Sequence, residues 1–331
     1  MASFVKRPSF WLHLGFALAV SALACTRIGR MADLLPPPIE VDLASGEAMQ
    51  VEDSVVALKR FRVPRYWSGK PKQFVSEVHY MAGGAKGSVE NAEISVNHPL
   101  VRGGWWIYQS GWGEDARGEY TVLKCVRDPF LPLAFAGWAM ALLGAAMLAV
   151  KWWRLAVAEE KGGCAGVRRA EGIRKWWPYG AAVAVSAVPV YFIGRSVLRP
   201  DLVPALQSPL LFPHILAYLF SYVIFLFAAF GLLRRLWGAA FFLMTLGLVL
   251  GALWGKICWS EWWQFDPKEM WSLCTWLAYG LFFHIKWLPA KTPESRRRLE
   301  RILLRIGAAL ILLTLLWVNF SRLFSGLHTY A

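Results

Sequence analysis

Residues 236–255 read LWGAAFFLMTLGLVLGALWG and carry no charged side chain. A helix needs about 20 consecutive apolar residues to cross the hydrocarbon core of a bilayer. This stretch therefore predicts a transmembrane helix. Six comparable stretches lie at about 8–25, 130–150, 176–197, 209–233, 270–289 and 303–320. Together they predict a polytopic α-helical membrane protein with about seven transmembrane helices.

Composition agrees with this class of protein. Of the 331 residues, 56% are hydrophobic, and the mean hydropathy is +0.39, which is too apolar for an ordinary soluble domain. The net charge is +14, but Lys and Arg fall between the apolar stretches, where they orient membrane helices. This pattern predicts no nucleic-acid partner. No cysteine lies in a CxxC or CxxCH motif, which argues against a thioredoxin-type redox site and against a c-type cytochrome.

A polar segment of about 100 residues separates the first two apolar stretches. Apolar and polar residues alternate along Val55–Val63, Gln73–Tyr80 and Tyr120–Val126, and Gly-rich turns such as Gly83-Gly84 interrupt the pattern. Such alternation is typical of half-buried β-strands. The sequence thus predicts transmembrane helix 1 at 1–25, an inserted β-rich domain at 26–129 and transmembrane helix 2 at 130–150.

Basic clusters predict the orientation of the helices. Lys and Arg concentrate before helix 1, in a loop at 151–175, at Arg234-Arg235 and after the sixth stretch. The positive-inside rule places these clusters in the cytoplasm. The amino terminus is then cytoplasmic, and the β-rich domain and the carboxyl terminus are extracytoplasmic. One alternative stays open: the basic start, apolar run and small residues of Met1–Cys25 also resemble a cleavable signal peptide.

Four histidines fall at paired depths. His13 and His284 are predicted at the inner-leaflet level, whereas His214 and His328 are predicted at the outer face. Ionisable groups in membrane segments favour a functional interpretation, and two imidazoles can ligate one haem iron. A single histidine is more often a packing residue, so the pairing carries the hypothesis. His79 and His98, in the β-rich domain, are interpreted as structural.

Aromatic residues crowd the outward-facing stretch 254–271. The candidate ligand-binding residues there are Trp254, Trp259, Trp262, Trp263, Phe265, Asp266 and Trp271. An interfacial aromatic belt is one explanation. A belt is spread over many helix ends, however, and this density favours a shelf for a flat macrocycle such as haem b. The neighbouring polar residues then either stabilise the loop or contact the haem propionates.

This stretch resembles the tryptophan-rich WWD signature of the haem-handling protein family. In particular, it resembles the CcsA (ResC) half of System II cytochrome c synthases, whose loop runs close to W-G-x-x-W-x-W-D-P-K-E-T-W. Ser260 and Phe265 depart from that pattern, where the family has Gly and Trp. The segments QSPLLFPHILAYLFSY and FSGLHTYA resemble those that carry the family's external histidines, and His284 matches its transmembrane histidine. The resemblance covers about residues 176–331.

The first part resembles the end of CcsB (ResB). FRVPRYWSGKPKQFVSEV, ISVNHPLVRGGWWIYQSGW and VLKCVRDPFLPLAFAGW follow its external domain and last helix, and WLHLGFALAV places a transmembrane histidine at His13. The chain thus resembles a compact CcsB–CcsA fusion without the early helices of either half. Whether another subunit supplies those helices stays open.

The resemblance implies a holocytochrome c synthase of the bacterial cytoplasmic membrane. Such a protein transports haem outward and attaches it to the CxxCH cysteines of apocytochrome c, its partner, which a thioredoxin-like protein keeps reduced. His13, His284, His214 and His328 would ligate the haem iron, and His214, His328 and Asp266 would form the catalytic group. One alternative is a haem exporter or chaperone without ligation activity. Another is a non-haem scaffold, and a respiratory cytochrome b fits the outer histidines less well.

Overall fold

A computed structural model describes residues 7–83, 88–162, 172–197, 201–285 and 292–320. An amino-terminal helix leads into a β-rich region, and the remaining helices follow. The helices are α1 (Pro8–Met31), α2 (Leu131–Gly162), α3 (Gly172–Val197), α4 (Leu211–Ala229), α5 (Trp237–Trp259), α6 (Pro267–Phe282) and α7 (Pro293–Phe320). The strands are β1 (Ile39–Ala44), β2 (Ala48–Val51), β3 (Ser54–Arg62), β4 (Val75–Met81), β5 (Val89–Ser95), β6 (Leu100–Arg102), β7 (Trp105–Asp115) and β8 (Gly118–Arg127).

The β-rich region is built from two four-stranded antiparallel sheets. One has the order β1-β8-β7-β6 and the other β2-β3-β4-β5. Alternate residues of both sheets enter a shared core that includes Leu58, Ile94 and Leu123. This alternation is the one that predicted strands, because successive side chains of a strand point to opposite faces. The predicted β-rich region is confirmed, and the three predicted runs coincide with β3, β4 and β8.

Among the described residues, four helices are long and apolar enough to cross a membrane: Pro8–Met31, Leu131–Ala158, Leu211–Ala229 and Trp237–Trp259. The helices α3, α6 and α7 lie where the sequence predicted three more spans, and the count of seven spans stays a prediction. α6 has only 16 residues. At 1.5 Å per residue it is about 24 Å long, shorter than the roughly 30 Å hydrocarbon core.

Small residues bring α1 and α2 into close contact. A Cβ on Gly15 would overlap the backbone of Ala141, and one on Gly137 would meet the backbone nitrogen of Ala19 at 2.5 Å. Small residues four apart allow helix backbones to approach in this way, as in membrane helix pairs generally. The amino-terminal helix is therefore packed firmly against the helix that follows the β-rich region.

The structure shifts several predicted boundaries. α1 continues to Met31 rather than ending at 25, and α2 continues to Gly162, into the predicted 151–175 loop. Hydropathy marks where apolar side chains stop, whereas a helix continues into water as long as its backbone hydrogen bonds do. In the same way, the predicted loop 254–271 begins with helix, because α5 ends only at Trp259 and α6 starts at Pro267.

Candidate functional site

The two histidines predicted at the inner level lie side by side. His13 is on α1 and His284 follows the end of α6, and their ring centroids are 5.4 Å apart with the planes at 81°. One turn further along α1, Phe16 stacks on Trp276 of α6, with centroids 4.9 Å apart. Two elements from opposite ends of the chain thus present adjacent imidazoles.

Backbone carbonyls fix the tautomer of these two histidines. His13 Nδ1 lies 2.5 Å from the Ser9 carbonyl oxygen, and His284 Nδ1 lies 2.8 Å from that of Gly280. A carbonyl only accepts hydrogen bonds, so in the neutral imidazole Nδ1 is the donor and Nε2 keeps a lone pair. This is the arrangement that metal-ligating histidines use.

His214 has the same arrangement at the start of α4. Its Nδ1 lies 2.8 Å from the Gly247 carbonyl oxygen of α5. Its ring packs on Gly251, where an added Cβ would lie 2.6 Å from His214 Cε1. The ring of Trp254 lies 6.0 Å away on the next turn of α5. The glycine therefore makes room for the imidazole of His214 between α4 and α5. His328, its predicted partner, lies outside the described residues.

The turn between α5 and α6 is short and strained. Ser260 ends α5 with φ of 69°, and Phe265 precedes α6 with φ of 59°. Left-handed backbone conformations at residues other than glycine are uncommon and cluster at functional sites. Ser260 stands where the related loop has Gly, so the structure explains that preference: the helix end needs a left-handed residue.

Asp266 and Glu269 hold this turn by a capping box. Asp266 Oδ1 accepts a hydrogen bond from the Lys268 backbone nitrogen at 2.8 Å. Glu269 Oε2 accepts from the backbone nitrogens of Gln264 at 2.8 Å and Asp266 at 3.3 Å. The predicted catalytic residue Asp266 is thus the amino-terminal cap of α6, a role with a structural cause of its own.

The predicted aromatic shelf divides into two groups. Trp254 and Trp262 are 3% and 4% exposed and are packed within the protein. Trp259, Trp263 and Trp271 are half-buried, and Phe265 is 58% exposed. The first group is part of the protein interior, whereas the second group leaves aromatic surface accessible to a ligand.

A buried ion pair joins this turn to the β-rich region. Lys256 Nζ, on α5, lies 3.1 Å from Asp128 Oδ2, between β8 and α2, and both side chains are almost completely buried. Thr26 Oγ1 of α1 donates to the other carboxylate oxygen at 2.9 Å. Lys256 Nζ also donates to the Ser260 carbonyl at 3.2 Å. Both charges therefore have the additional hydrogen bonds that a buried pair requires.

Further hydrogen bonds dock the β-rich region on the segments around α4 and α5. Asn97 Nδ2 donates to the Pro204 carbonyl at 2.8 Å, and Asn97 Oδ1 accepts from the Cys258 thiol at 2.5 Å. The Tyr66 hydroxyl donates to the Leu202 carbonyl at 3.0 Å. These contacts fix the carboxyl-terminal end of α5 and the segment before α4 against the sheets.

Two arginines of α1 also approach the turn. The Arg27 guanidinium lies over the Phe265 ring, 4.9 Å from its centroid. One turn later, Arg30 lies 3.7 Å from the Glu261 carboxylate. The helix α1 therefore contributes side chains both to the His13–His284 pair and to the turn between α5 and α6.

Sequence reasoning missed Lys256, Asp128, Arg27 and Gly251. One signal was present: Lys256 is a single charge at the end of an otherwise apolar stretch, and such charges indicate function or pairing. Its partner could not be read from the sequence, because Asp128 is far away in the chain.

Comparison with known proteins divides the chain in two. Residues 230–328 match the cytochrome C assembly protein family, and residues 37–121 match the ResB-like family. The first region contains α5, α6 and the turn between them, and the second contains most of the β-rich region. Both matches agree with the resemblance found in the sequence motifs.

Individual relatives match a short part of the chain. A cytochrome c biogenesis protein CcsA of Prochlorococcus marinus (strain MIT 9312) is 40% identical over 90 residues, 27% of either chain. The protein of the same name from Porphyra purpurea is 38% identical over 96 residues, which is 29% of this chain and 28% of that protein. The chain thus matches a little over a quarter of the length of these curated relatives.

Proposed function

Because this one polypeptide combines a ResB-like region with a cytochrome C assembly region, as in a System II CcsB–CcsA fusion, we propose that it matures cytochromes c. It carries haem b, as substrate, across the membrane and attaches it to apocytochrome c on the outer face. The observation that carries this proposal is the adjacency of His13 and His284.

The geometry of that pair suits a haem iron. Imidazole nitrogens bind transition metals at about 2 Å, so two axial nitrogens lie about 4 Å apart and their ring centroids roughly 6 Å apart. The observed 5.4 Å is within about 1 Å of that separation. Both Nε2 atoms are the free nitrogens, because both Nδ1 atoms face carbonyls. These features support the proposal that His13 and His284 are the two iron ligands of a membrane haem site.

The outer site would receive haem from this membrane site. His214 Nε2 binds the iron on one side, and His328 binds it on the other. The half-buried Trp259, Trp263 and Trp271 cover the macrocycle. Bis-imidazole ligation protects the iron until the apocytochrome histidine replaces one of the two ligands.

Attachment is an addition that needs no net oxidation. Each apocytochrome thiol adds across one haem vinyl group: sulfur bonds to the carbon next to the ring, and the thiol proton goes to the terminal carbon. The protein contributes mainly by positioning these groups, which can remove much of an entropic barrier. The thiols must be reduced beforehand, and we assign that step to a thioredoxin-like partner.

We further propose that α3, α6 and α7 complete seven spans in the bacterial cytoplasmic membrane. With the amino terminus in the cytoplasm, seven alternating spans would bring the β-rich region, the 260–266 turn and the carboxyl terminus to the outer side. A second subunit would supply further CcsB and CcsA helices to this site. Affinity purification of the tagged chain tests for that subunit.

The decisive experiment is expression in a cytochrome c-deficient host with an apocytochrome reporter. We expect the purified protein to carry b-type haem and the reporter to gain covalently bound haem, seen by haem staining after denaturing electrophoresis. His13→Ala and His284→Ala should each remove most of the bound haem. Loss of neither haem nor maturation in these variants would contradict the proposal.

The same experiment separates attachment from delivery alone. If the protein is only a haem exporter or chaperone, it should still carry b-type haem after purification. Mixing this haem-loaded protein with reduced apocytochrome should then give no thioether-linked product. A matched control is His79→Ala, which removes a histidine of β4 in the β-rich region. We expect this variant to keep both haem and maturation if it folds.

A further inference from the structure

We propose that Arg27 binds a propionate carboxylate of haem at the outer turn. This inference rests on the proposed function, because it takes haem as the ligand. It adds a residue of the amino-terminal helix α1, which precedes the ResB-like match, to the haem site of the cytochrome C assembly region.

Arg27 is a cation with unused hydrogen-bonding capacity. Its guanidinium is exposed and lies 4.9 Å from the Phe265 ring centroid. Within the described part of the chain, no acidic side chain forms an ion pair with it. A guanidinium stacked on an aromatic ring keeps its in-plane N–H donors directed outward. Those donors match the two oxygens of a carboxylate.

The acidic residues of the turn do not compete for this cation. Asp266 and Glu269 accept hydrogen bonds from backbone nitrogens in the capping box. Glu261 lies 3.7 Å from Arg30, the next arginine of α1. Arg27 is thus the arginine of this pair that is left for a ligand. Haem brings two carboxylates on one edge of a flat apolar ring, which suits a cation beside exposed aromatic surface.

The departure at Phe265 gives a second reason. The related loop has Trp at this position, and its indole N–H is a hydrogen-bond donor that Phe lacks. The Arg27 guanidinium lies over the Phe265 ring and brings N–H donors beside it. In this chain the pair Arg27–Phe265 therefore replaces a single tryptophan as an aromatic surface with a donor attached.

Haem dimethyl ester, in which both propionates are blocked, provides the test. Each ligand is titrated into the detergent-purified, haem-depleted full-length protein, and binding is followed by absorption. We expect haem to bind about tenfold more tightly than the ester, the effect of one hydrogen bond between charged groups. Arg27→Gln should lose that preference by weakening haem and leaving the ester unchanged. Arg60→Gln, an exposed arginine of β3, should keep it.

A double variant tests whether the loss in Arg27→Gln comes from the missing N–H donor rather than from a change elsewhere in the protein. In Arg27→Gln with Phe265→Trp, the indole N–H should restore part of the preference for haem. Equal weakening of both ligands by Arg27→Gln, or no weakening of either, would overturn the inference while leaving the proposed function intact. If the wild-type protein binds neither ligand, the proposed function itself fails, and the inference with it.

Discussion

At the scale of single residues, neighbouring groups determine how the histidine rings are oriented. His214 keeps its ring orientation because its Nδ1 faces the Gly247 carbonyl and its edge packs on Gly251. A methyl group at Gly251 would overlap the ring, since its Cβ would lie 2.6 Å from Cε1 and 3.0 Å from Nδ1. The imidazole must then turn away from its present direction.

Gly251→Ala should therefore have the same effect as removing the His214 imidazole from the proposed outer haem site. We expect a changed haem absorption spectrum and at least a tenfold loss of cytochrome c maturation, because a misplaced ligand cannot hold the iron. Gly180→Ala is the matched control, because a Cβ at that helical glycine of α3 meets nothing within 4 Å. An unchanged spectrum in Gly251→Ala would argue against His214 as an iron ligand.

His13 and His284 should act as one unit. Residues that serve a single site are strongly non-additive when they are removed in turn. We expect His13→Ala, His284→Ala and the double variant to lose similar amounts of bound haem, as measured by pyridine haemochrome absorption. If the double variant loses as much as the sum of two independent partial losses, the two histidines serve different sites.

At the scale of elements, the capped start of α6 sets the position of the aromatic turn. The capping box needs an acceptor at Asp266, and asparagine caps helices as well as aspartate does. Alanine at an amino-terminal cap costs about 1 kcal/mol. A catalytic role would instead require the carboxylate itself, which asparagine lacks.

We therefore expect Asp266→Asn to keep most of the maturation activity and Asp266→Ala to lose it. Thermal unfolding of both purified variants should show the same order, with the alanine variant less stable. Glu269→Gln, which keeps a side-chain oxygen as an acceptor for the turn's backbone nitrogens, should behave like Asp266→Asn. If Asp266→Asn is inactive but as stable as the wild-type protein, the Asp266 carboxylate has a catalytic role.

The elements themselves could largely be predicted from sequence. The apolar stretches located the helices, and period-2 alternation located β3, β4 and β8, because both signals are local. The ends were less predictable: the continuation of α2 to Gly162 and the helical residues Trp254–Trp259 carry no hydropathy signal of their own. Asp266-Pro267-Lys268-Glu269 also had the pattern of a helix start, a local signal that the haem interpretation of Asp266 overlooked.

Contacts between distant segments were predictable only in part. The depths of His13 and His284 predicted a common level in the membrane, and the resemblance gave both residues the same role. The charge pair Lys256–Asp128 and the contact of Arg27 with Phe265 depend on how α1 and the β-rich region pack against α5. That packing is set by close helix contacts such as Gly15 on Ala141 and by the sheet register, neither of which a single sequence specifies.

At the scale of the whole molecule, hydrogen bonds and an ion pair connect the β-rich region to the turn between α5 and α6. Asp128 joins the β-rich region to α2, and its carboxylate holds Lys256, which in turn donates to the Ser260 carbonyl at the start of the turn. Asn97 contacts both Cys258 and the Pro204 carbonyl. A displacement of the β-rich region would therefore be transmitted to the turn, which gives a physical reason to keep both regions in one chain.

This coupling predicts different effects on stability and on function. Lys256→Met leaves Asp128 as a buried unpaired charge, so we expect a loss of about 3–5 kcal/mol, seen as a large drop in the melting temperature. Lys256→Met with Asp128→Leu removes both charges and should regain most of that stability. Lys151→Met, an exposed lysine on α2, is the control and should change little.

The double variant should nevertheless remain poor at cytochrome c maturation. It has no unpaired buried charge, but the Ser260 carbonyl no longer accepts a hydrogen bond from Lys256. The turn after α5 is then no longer held in position relative to α1 and β8. An altered spectrum of bound haem at a near-wild-type melting temperature would show that the pair positions the turn as well as stabilising the fold. Full recovery of both stability and maturation would instead show that apolar side chains can replace the Lys256–Asp128 pair. The position of the turn would then depend on the other contacts with the β-rich region.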